Sequence, residues 1–136
     1  MEQNFFQFPV RVYYEDTDAG GVVYHARYLH FFERARTEYL RKLGFAQQKL
    51  LDEKNLAFVV KTMNIDYRVP ARLDDALIVE TEVTQLKSAS MIFTQSLKRD
   101  DMILSTATVV VACVDLNRMK PVALPSDVKT AFISHN

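Results

Sequence analysis

The chain begins with an alternating pattern of apolar and polar residues. Between residues 8 and 14 every second residue is apolar or aromatic, which is typical of a half-buried β-strand, and Pro9 stands at its start, where a strand tolerates it. The spacing then becomes helical from about Ala26 to Leu43, and Gly44 follows where a helix commonly ends. The apolar residues at this spacing are Leu29, Phe32, Ala35, Tyr39, Leu40 and Leu43. A second, shorter helix is predicted over 46–54.

The rest of the chain predicts mainly strands. Strong β-formers concentrate in four segments, at about 57–69, 76–86, 90–98 and 102–115. The turns between them are short, which favours antiparallel neighbours, since parallel strands need long crossovers. One long helix against about five mostly antiparallel strands predicts an α+β fold in which the helix covers one sheet face. No linker divides residues 1–136, so we expect a single domain, and the tail after Pro125 is expected to be a short helix or partly disordered.

Composition narrows the functional classes. Lys plus Arg and Asp plus Glu both number 17 among the 136 residues, so no basic field favours nucleic acid. The single cysteine, Cys113, cannot form an internal disulfide, which favours the cytoplasm. The chain has neither the pattern of a signal peptide nor an apolar run of roughly 18 residues. We therefore expect a cytoplasmic protein that does not span a membrane.

Site chemistry concentrates in one loop, Asp16-Thr-Asp18-Ala-Gly20-Gly21-Val-Val-Tyr24-His25, which holds two of the three glycines of the chain. The Asp-x-Asp spacing resembles the start of a hard-cation loop, but no acidic residue occurs in the seven positions after Asp18. No His/Cys cluster offers a zinc site either. The sequence therefore predicts no metal.

The loop has a different chemical use. Asp16 and Thr17 fit turn roles, in which a side-chain oxygen accepts a backbone N–H. Asp18 is followed by two glycines that allow close backbone approach and then by the start of the long helix. A helix N-terminus can stabilise an oxyanion, and a nearby carboxylate can attack a carbonyl or activate a water. These two parts predict an acyl-transfer or hydrolysis site.

The same residues carry a family resemblance. The run from Tyr14 through Asp18 and His25 to Tyr28, continued by residues 32–36, resembles the signature of hotdog-fold acyl-CoA thioesterases of the 4-hydroxybenzoyl-CoA thioesterase type. Within them it is most similar to the branch associated with the Tol-Pal cell-envelope system. Residues 57–61, 70–75 and 119–125 also resemble that branch, so the similarity spans nearly the whole chain.

The resemblance implies a hotdog fold, in which a five-stranded sheet wraps one long central helix. It also implies homodimers that join edge to edge, commonly pair into homotetramers and hold active sites at the subunit interface. Asp18 would be the nucleophile or the general base, and the backbone N–H of His25 would polarise the thioester carbonyl. Gly20 and Gly21 would give the thioester backbone clearance. No cofactor is implied, because coenzyme A is part of the substrate.

Several further residues are candidates for substrate contact. Tyr14 and Tyr24 are expected as wall residues of the site. The side chain of His25 is a candidate for catalysis, with a structural role as the alternative. Related enzymes carry tyrosine at this position, so a catalytic role of the side chain would be particular to this branch. Lys87 lies where the resembling enzymes place a basic cluster for the nucleotide, and Arg68 and Arg72 could assist, although solvated arginines are equally expected.

The carrier of the acyl group is open. The neighbours of Lys87 are Ser88, Ala89 and Ser90, so the basic cluster is reduced and acyl carrier protein becomes an alternative to coenzyme A. The acidic surface of acyl carrier protein would need a basic patch on this protein. The long helix offers the cations Arg34, Arg36, Arg41 and Lys42 for such a patch, although a solvated helical face explains them as well.

Two other functions compete with thioester hydrolysis. A hotdog dehydratase would pair a histidine with an acidic residue of the long helix, where Glu33 and Glu38 are available, but the Asp-x-x-Gly-x-Val-x-His order differs from that pattern. A non-catalytic module would bind thioesters or envelope partners without turnover. The resemblance favours hydrolysis and implies a link to lipid metabolism.

Overall fold

A computed structural model describes residues 6–135, and the side chains of residues 6–133. The predicted domain's first five residues and Asn136 lie outside the described residues. The helices are α1 (His25–Lys42), α2 (Gln47–Lys54) and α3 (Ser126–His135). The strands are β1 (Phe6–Arg11), β2 (Leu56–Tyr67), β3 (Ala76–Leu86), β4 (Ser90–Arg99), β5 (Met102–Asp115) and β6 (Lys120–Pro121).

The strands form one antiparallel sheet in the order β1-β3-β4-β5-β2, with β6 paired to β5. The predicted α+β class, with a long helix against an antiparallel sheet, is confirmed. The two-residue strand β6 adds a sixth strand to the five that were predicted. Its shortness explains why the alternation of the sequence gave no signal for it.

The core lies between α1 and one face of the sheet. Every second residue of β3 and β4 is buried, as predicted for strands covered on one side. Helix α1 contributes Phe31 and Phe32, which are buried, to the same cluster. Leu29 was expected on this face but is 41% exposed. The buried stripe of α1 passes instead through Tyr28, one residue earlier, and leaves Leu29 at its margin.

Strand β1 ends earlier than the alternation predicts. The pattern continues to Tyr14, but β1 ends at Arg11, and Tyr14–Asp16 form a 3₁₀ turn. The Asp16 carboxylate accepts the backbone N–H of Tyr13 at 2.9 Å and pairs with Arg27 at 3.2 Å. These local contacts compete with the strand ladder and redirect the chain towards the loop.

A polar network lies within the core. Arg36 of α1 is only 7% exposed, and its Nη1 donates to Oε1 of Gln95 at 3.0 Å. The Gln95 amide in turn donates to the carbonyl of Phe32 and to the hydroxyl of Thr81. Burial lowers the pKa of Arg36, while the nearby Glu33 carboxylate opposes that change. The expectation that Arg36 belongs to an exposed basic patch is therefore wrong.

Strand β2 is an edge of the sheet. It is 12 residues long, and within the part of the chain that the structure describes its one neighbouring strand is β5. Its apolar residues Val59 and Val60 are each 45% exposed. A long, exposed, apolar edge is a template for pairing with another strand.

Among the described residues, no helix has the length and apolar character that crossing a bilayer requires.

Candidate active site

The Asp18 loop is a tight turn held in place by backbone hydrogen bonds. The N–H of Gly21 donates to the carbonyl of Asp18 at 3.1 Å, and the N–H of Asp18 donates to the carbonyl of Val22 at 3.0 Å. The N–H of Val23 donates to the carbonyl of Ala71 at 2.8 Å. The loop is thereby attached to the segment between β2 and β3, which fixes it relative to the sheet.

The turn places a different requirement on each of its two glycines, Gly20 and Gly21. The N–H of Gly20 donates to Oδ1 of Asp18 at 2.8 Å, and a Cβ at Gly20 would lie only 3.3 Å from that oxygen. Gly21 has a φ of +79°, which a residue with a Cβ adopts only with strain. The second oxygen of Asp18, Oδ2, accepts no hydrogen bond from the part of the chain that the structure describes. It is available to a ligand.

Helix α1 begins directly after this loop. Tyr24 is its N-cap residue, and its side chain makes no capping hydrogen bond. The first N–H that bonds inside the helix is that of Arg27, which donates to the carbonyl of Tyr24 at 2.9 Å. Within residues 6–135 the N–H of His25 has no acceptor. An unpaired donor at the positive end of a helix dipole is suited to a developing oxyanion.

Asp18 and His25 line the same cavity, whose volume is about 240 Å³. It is open on one side and bordered by the loop, the start of α1 and the end of β2. The other lining residues are Val22, Val23, Tyr24, Tyr28, Tyr67, Arg68, Val69 and Pro70. Aliphatic and aromatic groups therefore surround one carboxylate and one helix N-terminus.

Three rings form one wall of this cavity. Tyr67 lies edge-on to His25 and to Tyr28, with centroid distances of 5.0 Å in both pairs. The Tyr67 hydroxyl donates to the carbonyl of His25 at 3.3 Å, and the hydroxyl of the buried Tyr28 accepts the N–H of Ala71 at 3.0 Å. Burial, and secondarily the neighbouring Tyr28, raise the pKa of Tyr67, so its hydroxyl remains a donor at neutral pH. The rings attach the first turn of α1 to β2.

No group of three or more His, Cys, Asp or Glu side chains among residues 6–133 is arranged to hold a metal ion. The cavity's single carboxylate is that of Asp18. The cavity therefore combines one carboxylate with the first residue of α1.

A sequence profile of the Thioesterase-like superfamily matches residues 12–132. The chain belongs to this superfamily. It is 70% identical over 132 residues to the acyl-CoA thioesterase YbgC of Haemophilus influenzae, covering 97% of each chain, and 52% identical over 133 residues to the acyl-CoA thioester hydrolase YbgC of Escherichia coli O6:H1, covering 97% of this chain and 98% of that one.

Solved structures of the thioesterase superfamily share the fold. A probable thioesterase from Bartonella henselae superposes with a TM-score of 0.85 at 41% identity, covering 89% of this chain and 99% of that one. The predicted thioesterase family and hotdog fold are thus confirmed.

The structure places only some of the predicted substrate contacts at this cavity. Tyr24 and Arg68 line it, and Arg68 also pairs with Asp66 at 2.9 Å. Tyr14 is 82% exposed in the 3₁₀ turn, and the exposed Arg72 is bound through its backbone N–H to Asp75. Neither Tyr14 nor Arg72 is among the residues that line the cavity.

Lys87 lies at the other end of the sheet. It follows β3, whose first residue, Ala76, is at the same end as the Asp18 loop. Ten residue steps along a strand correspond to about 33 Å, so the chain's own Lys87 is far from its Asp18.

Tyr67 is a wall residue that the sequence analysis did not single out. It lies 42 residues after His25, and no local spacing relates the two positions. The pairing of β2 with β5 brings its ring beside the helix start. The sequence does place Tyr67 two residues after Ile65 in an alternating strand. This pattern puts both side chains on one face of the strand, but it does not show that Tyr67 contacts His25.

Proposed function

We propose that this protein hydrolyses acyl-CoA thioesters to a free acid and coenzyme A, with Asp18 as the catalytic carboxylate. The observation that carries the proposal is that Asp18 and His25 line the same cavity and that the N–H of His25 has no acceptor within residues 6–135. A thioester needs an oxygen nucleophile on one side of its carbonyl carbon and a donor to its carbonyl oxygen. Acyl-CoA is also what the printed names of the YbgC relatives specify.

Two routes fit this arrangement. In the first, Oδ2 of Asp18 attacks the carbonyl carbon, the C–S bond breaks, the thiolate leaves, and water hydrolyses the mixed anhydride. In the second, Asp18 takes a proton from a water whose oxygen attacks the same carbon, and the proton then passes to the departing sulfur. In both routes the N–H of His25 donates to the carbonyl oxygen as it gains negative charge.

The side chain of His25 has a separate place in the proposal. Its ring is exposed and lies against Tyr67. In this position it helps to orient the first turn of α1, while its backbone N–H serves as the oxyanion donor. Gly20 has no Cβ that would crowd the Asp18 carboxylate, and Gly21 adopts the positive φ that the turn requires.

A homodimer joined through β2 completes the site in this proposal, and two such dimers form the tetramer. The support is the unpaired 12-residue edge. A two-fold axis that pairs β2 antiparallel with its copy places the Leu56 end of one strand beside the Tyr67 end of the other. The turn that carries Lys87 is at the Leu56 end, because β5 pairs with both segments there. The partner's Lys87 then lies on the side of Asp18, where it can contact coenzyme A phosphates.

Coenzyme A is the preferred carrier over acyl carrier protein. Of the cations of α1 considered for a carrier protein, Arg36 is buried and Arg41 pairs with Glu38 at 2.6 Å. Lys42 lies over an aromatic ring, at 5.7 Å from its centroid. This leaves a weak basic patch for an acidic protein. The cytoplasmic location remains a prediction from the cysteine content and the apolar pattern, and the Tol-Pal association and the role in lipid metabolism remain predictions of the resemblance.

A thiol-release assay tests the function. Purified protein is expected to release free thiol from members of a panel of acyl-CoA esters, and to act less well on the same acyl groups attached to acyl carrier protein. The protein's own Cys113 is buried, and burial raises the pKa of its thiol, so the native enzyme adds little background. Binding without release would favour the non-catalytic module, and water loss from hydroxyacyl-CoA without release would favour a dehydratase.

Gly20→Ala is expected to lower kcat about tenfold, because the new Cβ lies 3.3 Å from the Asp18 carboxylate and displaces it. Thermal unfolding should change little, since Gly20 does not have a positive φ. Gly44→Ala is the matched control: its Cβ meets open space at φ +98°, so it should cost stability while kcat is kept. An unchanged kcat for Gly20→Ala would contradict the assigned position of the carboxylate.

Lys87→Ala is expected to raise KM for acyl-CoA about tenfold and to leave kcat nearly unchanged, because the lysine contacts the nucleotide and not the thioester. Lys49→Ala, which removes an exposed lysine from α2, is the control. Initial rates with acyl-CoA and with the corresponding acyl-pantetheine, which lacks the nucleotide, provide the measurement. An equal change in KM for both substrates would exclude a nucleotide contact.

A further inference from the structure

Arg36 is a buried cation whose hydrogen bonds are incomplete. A guanidinium has five N–H donors, and a buried charge normally requires a charged partner. The acceptor found for Arg36 among the described residues is the neutral amide oxygen of Gln95. No carboxylate lies within 4.0 Å of it in that part of the chain. The guanidinium therefore has donors left for a further acceptor.

A small cavity of about 40 Å³ lies beside Arg36, between α1 and the edge strand β2. Its other lining residues are Glu33, Thr37, Leu40, Gln47, Phe58, Val60, Phe93 and Val111. Glu33 is exposed and is one turn from Arg36 on α1, yet the two do not form an ion pair. Within residues 6–133 the Glu33 carboxylate accepts no hydrogen bond. One groove thus holds a cation and a carboxylate that interact electrostatically but do not form an ion pair within 4.0 Å.

The groove lies beside β2, the strand through which the proposed homodimer forms. β2 spans Leu56–Tyr67, so its midpoint falls beside Val60, which lines the cavity. In a dimer whose two β2 strands overlap along their whole length, the two-fold axis would pass near that midpoint and place both α1 helices on the same face of the joined sheet. Groups close to such an axis face the partner's equivalent groups. In such a dimer, Glu33 and Arg36 would approach the same two residues of the partner subunit.

We propose that Glu33 of each subunit forms an ion pair with Arg36 of the partner subunit, giving two reciprocal pairs across the dimer axis. This inference rests on the homodimer of the proposed function. An isologous interface must be self-complementary, and a carboxylate and a cation one helical turn apart meet that condition. The arrangement gives the Arg36 guanidinium a carboxylate at ion-pair distance, which the described residues of its own subunit do not provide. It also selects one register of the antiparallel β2 pair, because a shift to another register would separate the charges.

Charge reversal tests the pair. Glu33→Arg is expected to raise the dimer dissociation constant about a hundredfold or more, because it places two cations opposite two buried cations. Glu53→Arg, which reverses an exposed charge on α2, should leave that constant within about twofold. Sedimentation velocity over a range of protein concentrations provides the measurement. A Glu33→Arg variant that dimerises as tightly as the wild type would overturn the ion pair and leave the dimer itself intact.

Mixing two variants provides the second test. Glu33→Arg and Arg36→Glu each place like charges across the axis in their homodimers, whereas their heterodimer contains two attractive pairs. We expect the mixture to associate at least tenfold more tightly than either variant alone, and circular dichroism checks that both are folded. If Arg36→Glu does not fold, Glu33→Gln replaces it: its dimer should lose most of the salt dependence of the wild type. The proposal would be overturned if Glu33→Gln kept the salt dependence of the wild type, or if the two folded variants did not associate more tightly when mixed. A monomeric wild type would overturn both the ion pair and the proposed dimer.

Discussion

Replacing Asp18 with asparagine is expected to lower kcat/KM for acyl-CoA hydrolysis by about a hundredfold to ten-thousandfold. Asparagine has nearly the same size and keeps an oxygen that can accept the N–H of Gly20, so the turn is retained. The amide has no negative charge, and it neither attacks a thioester as a carboxylate does nor accepts a proton from water at neutral pH. Both proposed routes therefore lose their reactive group while the loop keeps its shape.

The Asp18→Asn measurement requires a matched control and a fold check. Asp101→Asn makes the same chemical change at an exposed turn between β4 and β5 and should retain wild-type rates. Equal thermal unfolding of the two variants shows that the loss is chemical. A further readout is binding: Asp18→Asn should still bind acyl-CoA, since the cavity walls are unchanged. Hydrolysis at the wild-type rate by Asp18→Asn would remove Asp18 from the mechanism.

The largest expected loss of stability follows from Phe32→Ala. Phe32 has 0% exposure and packs within the core between α1 and the sheet. Truncation of a fully buried phenylalanine removes its burial and leaves a cavity, so the free energy of unfolding should fall by about 3–5 kcal/mol. Urea unfolding at a fixed protein concentration measures the change. The concentration is held constant because dimerisation contributes to apparent stability.

Arg34→Ala serves as the control for Phe32→Ala. Arg34 is exposed on the same helix, and alanine favours helix formation, so its effect should stay within about 0.5 kcal/mol. A Phe32→Ala variant with wild-type stability would show that α1 is not packed as described. The result also concerns the active site, because the position of the N–H of His25 depends on how firmly α1 is held against the sheet.

The local features of the site could be predicted from sequence. Asp18, Gly20, Gly21 and His25 are close in the chain, so a turn and a helix start bring them together with little help from distant residues. The outcome agrees with the pattern: one tight turn, one positive φ at Gly21 and one helix that begins at His25. Their catalytic roles remain the proposal.

Features that depend on distant residues could not be predicted in the same way. Arg36 has the spacing and charge of an exposed helical cation, yet Gln95, 59 residues away, offers it a buried acceptor. Leu29 has the character of a core residue, yet the sheet meets α1 along a stripe that leaves it exposed. Both cases show that periodicity gives the apolar face of a helix only to within one residue.

The sequence by itself determined the fold class and the loop that carries the candidate chemistry, because alternation, helical spacing and turn residues act over short distances. The family followed from the resemblance of its motifs to those of known thioesterases. The tertiary structure alone decided which side chains form the cavity wall, that Arg36 is buried and that Lys87 is remote from Asp18 in the same chain. These depend on strand pairing and on the edge left open at β2, and strand pairing joins residues far apart in sequence. The physical reason is that turns and caps are set by neighbouring residues, whereas a cavity is set by the surfaces that packing brings together.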